Sequence, residues 1–257
     1  MAEFINTIDV LGDEVVLNSI VDRSITEFKD DQLTAIADYA FYACAALTDV
    51  NLTNVTSVSG NAFASCASLK NVNIPLLTKI NGSVFANCSS LESISFSSVT
   101  SLAGRAFSKC TYLTNIDLPL VTSLGGWTFE YCSGMESVCL PALKTVGSSD
   151  FDNCTNLKKA DFPSATKVGA TFSFRYCSSL IALVLRNATL CALGGTTQSN
   201  FGGTPIASGT GYVYVPRALI EDYKVATNWS TIANQFRALE DYTVDGTITG
   251  DLDESKI

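Results

Sequence analysis

Apolar residues recur along this chain with a fixed beat. "AFASCASLKNVNI" (residues 62–74) returns twenty-two residues later as "VFANCSSLESISF" and twenty-two after that as "AFSKCTYLTNIDL". Aligned on cysteine, the copies fall at Cys44, Cys66, Cys88, Cys110, Cys132, Cys154 and Cys177, in five steps of 22 and one of 23. Three residues before each cysteine stands a phenylalanine, from Phe41 to Phe174. Three residues after it stands a leucine, or Met135 in the fifth copy. Two alternating apolar positions follow, such as Val50 and Leu52 or Ile94 and Phe96, and a later pair such as Leu77 and Ile80 closes the unit.

A period in the low twenties predicts a solenoid, in which each turn buries its apolar face only against its neighbours. The alternating L-x-x-V-x-L segment predicts a short strand, stacked in parallel on the strand of the next turn. Seven such strands at about 4.8 Å give a spine roughly 30–35 Å long. The Phe-x-x-Cys-x-x-Leu portion, apolar at every third position, predicts a short helical turn. Pro75, Pro119, Pro141 and Pro163 follow the strand, where a missing N–H ends a ladder.

Unit by unit, the sequence resembles the BspA-like leucine-rich repeats, whose pattern runs roughly A-F-x-x-C-x-x-L-x-x-I-x-L-P-x-V-T-x-I-G. "AFSKCTYLTNIDLPLVTSLGG" follows it almost position for position, and the resemblance covers residues 33–186. It implies a leucine-rich-repeat solenoid, a right-handed parallel stack of seven or so turns. It also implies adhesion or protein recognition, as in bacterial cell-surface proteins and in phage or prophage tail-associated proteins.

The flanks read as caps. In residues 1–32, "NTIDVLGDEVVLNSIVDR" puts Ile8, Leu11, Val15 and Val16 on one face of an N-terminal helix, and "SITEF" forms a first strand. Residues 187–242 read as a C-terminal cap: a Gly/Ser/Thr loop, the strand "YVYVP", then two short helices in "RALIEDYKVA" and "STIANQFRAL". This segment resembles the cap that follows such repeats in gut-bacterial and prophage proteins. Residues 243–257 read as a frayed acidic tail.

Charge narrows the function. The net charge is −9, and the acids gather at the two ends: nine acids against two bases in residues 1–40, eight against nine in 41–185, eight against five in 186–257. With no basic stripe, nucleic acid is not an expected partner. No apolar run is long enough to cross a bilayer, so membrane insertion is not expected either. The first residues lack a basic region followed by an apolar stretch, so a cytoplasmic or phage-virion location is expected, with the cell surface as the alternative.

Candidate chemistry is sparse. The chain has no histidine, and its nine cysteines include no C-x-x-C pair, so no metal site or cofactor is expected. Neighbouring turns bring the repeat cysteines within disulfide range, yet each lies on the apolar stripe, where a free thiol acts as a small buried hydrophobe. Cys139 falls on an outward strand position, and Cys191 has no place in the register. Asp117 and Asp161 share a strand column two turns apart, about 9.6 Å by strand spacing, but with no cleft or aromatic platform they do not make a glycosidase pair. The chain therefore reads as non-enzymatic.

Two functions remain: a recognition module for a protein or glycan ligand, and an assembly protein making homo-oligomer contacts through its acidic N-terminal segment or capped ends. Aromatic and basic anchors concentrate on the turns of the fourth and fifth units. Arg105 and Trp127 are neighbours in the column five residues before cysteine, Lys109 and Tyr131 share their face, and Tyr112 lies just beyond. The alternative site is the polar strand face, represented by Asn73, Asp117 and Asp161.

Overall fold

The computed structural model describes residues 7–11, 14–169 and 171–257. Three-residue strands recur at Glu27–Lys29, Asp49–Asn51 and Asn71–Asn73, then at every copy to Ala182–Val184. They pair in parallel and in register, Asp49 with Asn71 and Cys139 with Asp161. The column runs on through Tyr212–Val215 and Phe236–Ala238. Pairing is interrupted between Asn71–Asn73 and Ser93–Ser95, and again between Asn115–Asp117 and Ser137–Cys139. A second column of two-residue strands, from Ala35–Ile36 to Ala192–Leu193, stacks along the other side.

Between these columns lies a core in which every repeat Phe and Cys is fully buried. Phe63, Phe85, Phe107, Phe129, Phe151 and Phe174 stack nearly parallel, with ring centroids 5.4–5.6 Å apart. Phe201 continues the stack at 5.5 Å and Trp229 tops it at 6.0 Å, so the C-terminal cap shares the core of the repeats.

The Phe-x-x-Cys segments are chains of tight turns, where the three-residue spacing predicts a short helix. Two residues per copy adopt left-handed backbone, such as Asn61 (φ 55°) and Ser65 (φ 64°). Alternate N–H groups are thereby turned along the solenoid axis: Phe63 N donates to Val84 O at 3.0 Å and Ser65 N to Ala86 O at 2.8 Å. The groups between them bond within the coil, Cys66 N to Phe63 O at 3.2 Å. A helix would aim its N–H groups along its own axis, and this edge would lose the bonds that join one coil to the next.

Both ends differ from expectation. The N-terminal segment is an antiparallel hairpin of Thr7–Leu11 and Glu14–Ser19, not a helix. Ile8 and Val10 in the first strand and Val15 and Val16 in the second are β-branched, and such stiff side chains suit a pleated surface. The Gly-Asp pair between them, which lies outside the described residues, is of a type that favours two-residue hairpin loops. Val16 then pairs with Ala35, so the hairpin closes the open end of the second column.

At the other end Ile220–Val225 is helical as expected, but "STIANQFRAL" is a 3₁₀ segment (Ser230–Gln235) followed by the strand Phe236–Ala238. Phe236 is drawn into contact with Trp229 and Tyr223, and that burial outweighs local helix preference. The terminal segment is not frayed. Leu252 is buried with Ala182, Val184 and Tyr214, and the Arg186 guanidinium donates to the carbonyls of Ile248 (2.9 Å) and Gly250 (2.7 Å). No helix among the described residues is long and apolar enough to cross a membrane.

Candidate functional site

The cysteines are removed from chemistry first. All are free, and all but Cys139 are buried. Burial pushes the thiols of Cys66, Cys110 and Cys191 up to about 12, far from the thiolate a nucleophile needs. Each repeat thiol from Cys66 to Cys177 donates instead to the Phe carbonyl of the preceding coil, Cys110 Sγ to Phe85 O at 3.2 Å for example. Cys139 is exposed as its outward strand position predicts, and partial burial still raises its thiol. Among the described residues no cluster of acidic, cysteine or histidine side chains could hold a metal.

The strand face does not form one continuous site. Asn73 and Asp117 are exposed; Asn73 donates to Asn51 and Asp117 accepts from Ser95 at 2.8 Å. Asp161, expected to face solvent, is only 8% exposed. Arg186 forks onto both its carboxylate oxygens at 2.8–3.1 Å, and the terminal segment lies across the pair, with Glu254 bound to Lys159. Two committed charges under a strap are not an acid–base pair. Nearer the N-terminus the face stays open, as a trough of about 630 Å³ over Phe28, Val50 and Val72.

The turn edge carries the aromatic cluster. Two glycines admit the chain to the Trp127 turn. Gly126 takes φ +87°, and a Cβ on Gly125 would run into the backbone of Gly104. The buried Asp150 carboxylate then fastens this turn, accepting from Gly126 N (3.1 Å), Thr128 N (3.3 Å) and Gly147 N (2.6 Å). Burial raises Asp150 to about 6 against the pull of those donors. Trp127, held between Gly126 and Thr128, remains 40% exposed.

Arg105 sits over the Trp127 ring at 5.2 Å, and Lys109 over the Tyr131 ring at 5.9 Å. The two cation–π pairs join the same two coils side by side. The structure thus brings four of the five anticipated residues together. Tyr112 is exposed and does not line the trough beside them. Among the described residues neither Arg105 nor Lys109 has a carboxylate partner.

A second cluster, which the sequence analysis does not single out, shows the opposite state. Arg175 lies 3.9 Å from the centre of Phe172 and 5.2 Å from that of Tyr176, but it is also forked onto Asp152 at 2.7 and 3.1 Å. Its cation is satisfied internally, whereas those of Arg105 and Lys109 face solvent.

Beside the open cluster runs a trough of about 390 Å³. Its floor is the column two residues before cysteine, where Ala64, Ala86 and Ser108 are flanked by the larger Tyr42 and Glu130. Asn61, Ser83 and Arg105 form one wall; Ser65, Asn87, Lys109 and Tyr131 form the other. Sequence reasoning named the cations and Tyr131 but missed the floor. Reading that one column down the aligned repeats, Tyr-Ala-Ala-Ser-Glu, reveals it.

Residues 19–136 and 104–200 match the profile of the BspA type leucine rich repeat region, in six copies. Among solved structures the chain is similar to a leucine rich repeat protein of T. pallidum, with 24% identity and a TM-score of 0.60 over 70% of this chain and 89% of that one. It is also similar to a leucine rich cell surface protein of Faecalibacterium prausnitzii, with 16% identity and a TM-score of 0.44 over 82% and 80%. These likenesses concern the fold. No curated protein matches the chain in sequence. The register of Phe, Cys and Leu through seven coils and the match over most of the chain agree: the protein belongs to the BspA-type leucine-rich repeat family.

Proposed function

We propose that the protein is a non-enzymatic recognition and adhesion module, which binds a protein or glycan partner through its turn edge around Arg105, Lys109, Trp127 and Tyr131. One observation carries the reading: two adjacent cation–π pairs present exposed rings and unpaired cations on a rigid scaffold. Aromatic and arginine side chains are the types that dominate binding energy at interfaces. The buried thiols and the committed Asp161 leave the rest of the molecule poor in catalytic groups.

The direct test is an array of proteins and glycans probed with the intact chain and with Trp127→Ala. Loss of the captured ligand with an unchanged thermal midpoint supports the reading. Retention in Trp127→Ala, with loss on replacing Asn73, Asp117 and Asp161 together, moves the site to the strand face. Among the locations open to such a module, a phage or prophage particle is the one proposed first, ahead of the cytoplasm and the cell surface. Mass spectrometry of purified virions tests it.

Assembly into homo-oligomers is the second reading. Ile8 and Val10 are 44% and 68% exposed on the outer strand of the N-terminal hairpin, and an apolar outer strand favours edge pairing with another copy. A monomeric mass in light scattering at high concentration would refute it.

A further inference from the structure

We propose that the trough between Tyr42 and Tyr131 binds a short neutral oligosaccharide lying along the solenoid axis. This deepens the turn-edge reading and rests on it.

The backbone restricts what the trough can hold. The N–H groups beneath it are spent within the fold: Ser65 N on Ala86 O (2.8 Å), Asn87 N on Ser108 O (2.8 Å), Ala64 N on Asn61 O (3.0 Å), Ala86 N on Ser83 O (3.1 Å). An extended peptide therefore finds no N–H edge on which to add a strand. The floor offers only two methyl groups and a serine, so no apolar pocket exists for a peptide anchor.

Recognition must come from side chains, and their chemistry is that of a hydroxyl-binding site. Asn61, Asn87, Ser65 and Ser83 are uncharged groups that both donate and accept. Arg105 and Lys109 add donors that no carboxylate among the described residues satisfies. Glu130, held by the Ser108 hydroxyl at 3.1 Å, adds an acceptor at the same end and offsets one of the two cations. Sugar hydroxyls both donate and accept, so a neutral glycan matches this mixture without leaving a buried charge.

The two ends fit as well. Tyr42 and Tyr131 are exposed aromatic rings on which the apolar face of a sugar can rest. Three small floor residues on successive coils leave roughly 14 Å of length at about 4.8 Å per coil. That is the scale of a trisaccharide or tetrasaccharide.

The decisive variant is Ala86→Tyr. The same turn position carries Tyr42, Glu130 and Arg175 in other coils, so the fold accepts a large side chain there while the trough is filled. The probes are xylo-, cello-, manno- and chito-oligosaccharides of one to six units, titrated into the intact chain by calorimetry. The expected result is binding by at least one series, affinity that rises to three or four units and then levels, and little sensitivity to salt. Ala86→Tyr should weaken that binding at least about tenfold without moving the thermal midpoint. Asn87→Ala with Ser83→Ala should weaken it by a smaller factor.

No binding in any series, or binding that survives Ala86→Tyr, overturns the inference. If a charged glycan or a protein binds instead and is lost in Trp127→Ala, the oligosaccharide assignment falls and the turn-edge reading stands. If a neutral oligosaccharide is blocked by Ala86→Tyr but indifferent to Trp127→Ala, the trough and the turn edge stand and only the part assigned to Trp127 falls.

Discussion

The thiol of Cys66 donates to the carbonyl oxygen of Phe41, 3.0 Å away in the preceding coil, and that same oxygen accepts the N–H of Cys44 at 3.0 Å. The arrangement repeats from coil to coil. Cysteine is suited to it because the thiol is small enough for the stripe, weakly polar, and still able to reach the free lone pair of the preceding coil's carbonyl.

Thiol counting tests this arrangement. In the folded protein a thiol reagent should label Cys139 alone, because the other eight of the nine thiols are buried. Denaturation without reductant should release all nine. A denatured count near three would mean that the seven stacked cysteines are bridged in pairs with one left over, and a count near one that Cys191 is bridged as well.

Core position should dominate stability. Phe107 is fully buried between Phe85 and Phe129, so Phe107→Ala should cost about 3–5 kcal/mol by denaturant unfolding. Lys70→Ala, on the surface, should stay within about 0.5 kcal/mol. Similar costs for the two would disprove the column.

The contrast between Phe107 and the termini shows which parts of the fold were legible. Phe, Cys and Leu recur because each coil poses the same packing problem, so seven copies vote on every position. The N-terminal hairpin has a single copy, and Ile8, Val15 and Val16 suit a helix face and a strand nearly equally. Phe201 and Trp229 extend the ring stack without a cysteine to mark their register. Arg105, Lys109, Trp127 and Tyr131 could be found because column position fixes adjacency. The burial of Asp161 could not, since its cause, Arg186 and the terminal segment, lies 25 or more residues away.

Acid titration should reveal Asp150. Burial raises its folded pKa from 3.8 to about 6, so between those values the native state holds a proton that the unfolded chain has released. Stability should therefore fall as pH rises from about 4 to about 6 and then level, by up to roughly 3 kcal/mol from this group. Asp150→Asn should flatten that interval in urea titrations at a series of pH values. A profile that rises steadily over the same interval in the parent protein would contradict the assignment.

The two cation–aromatic clusters should respond differently. Arg175→Ala strands the Asp152 carboxylate, whose side chain is 3% exposed, and should cost about 2 kcal/mol, below the fully buried range because Arg175 is itself partly exposed. Arg105→Ala strands nothing. Its backbone is left-handed, at φ 60°, a conformation that costs a non-glycine residue about 1 kcal/mol or more. Lys109 shares that strain at φ 62°, while Asn87 holds the equivalent place a coil earlier. Lys109→Asn should leave stability unchanged or raise it by about 0.5 kcal/mol, the relief of strain offsetting the lost cation–π contact. A loss above 1 kcal/mol in thermal or urea unfolding would show that the open cluster is structural.

The terminal segment should be bound, not trailing. Arg186 joins the buried Asp161 to the carbonyls of Ile248 and Gly250, so one side chain holds both the strand face and the strap. Arg186→Gln keeps some donors but loses the charge and the fork, and should destabilise by about 3 kcal/mol as Asp161 is left unpaired. Asp161→Asn combined with Arg186→Gln removes both charges and should recover much of that loss. Limited proteolysis separates the two roles of the arginine. In Arg186→Gln, cleavage should begin within residues 243–257 while the coils remain intact, because the segment is then held mainly by Leu252 and its apolar neighbours and by the exposed Lys159–Glu254 pair. Equal protection of that segment in the parent and in Arg186→Gln would show that Leu252 and its apolar neighbours suffice to dock it.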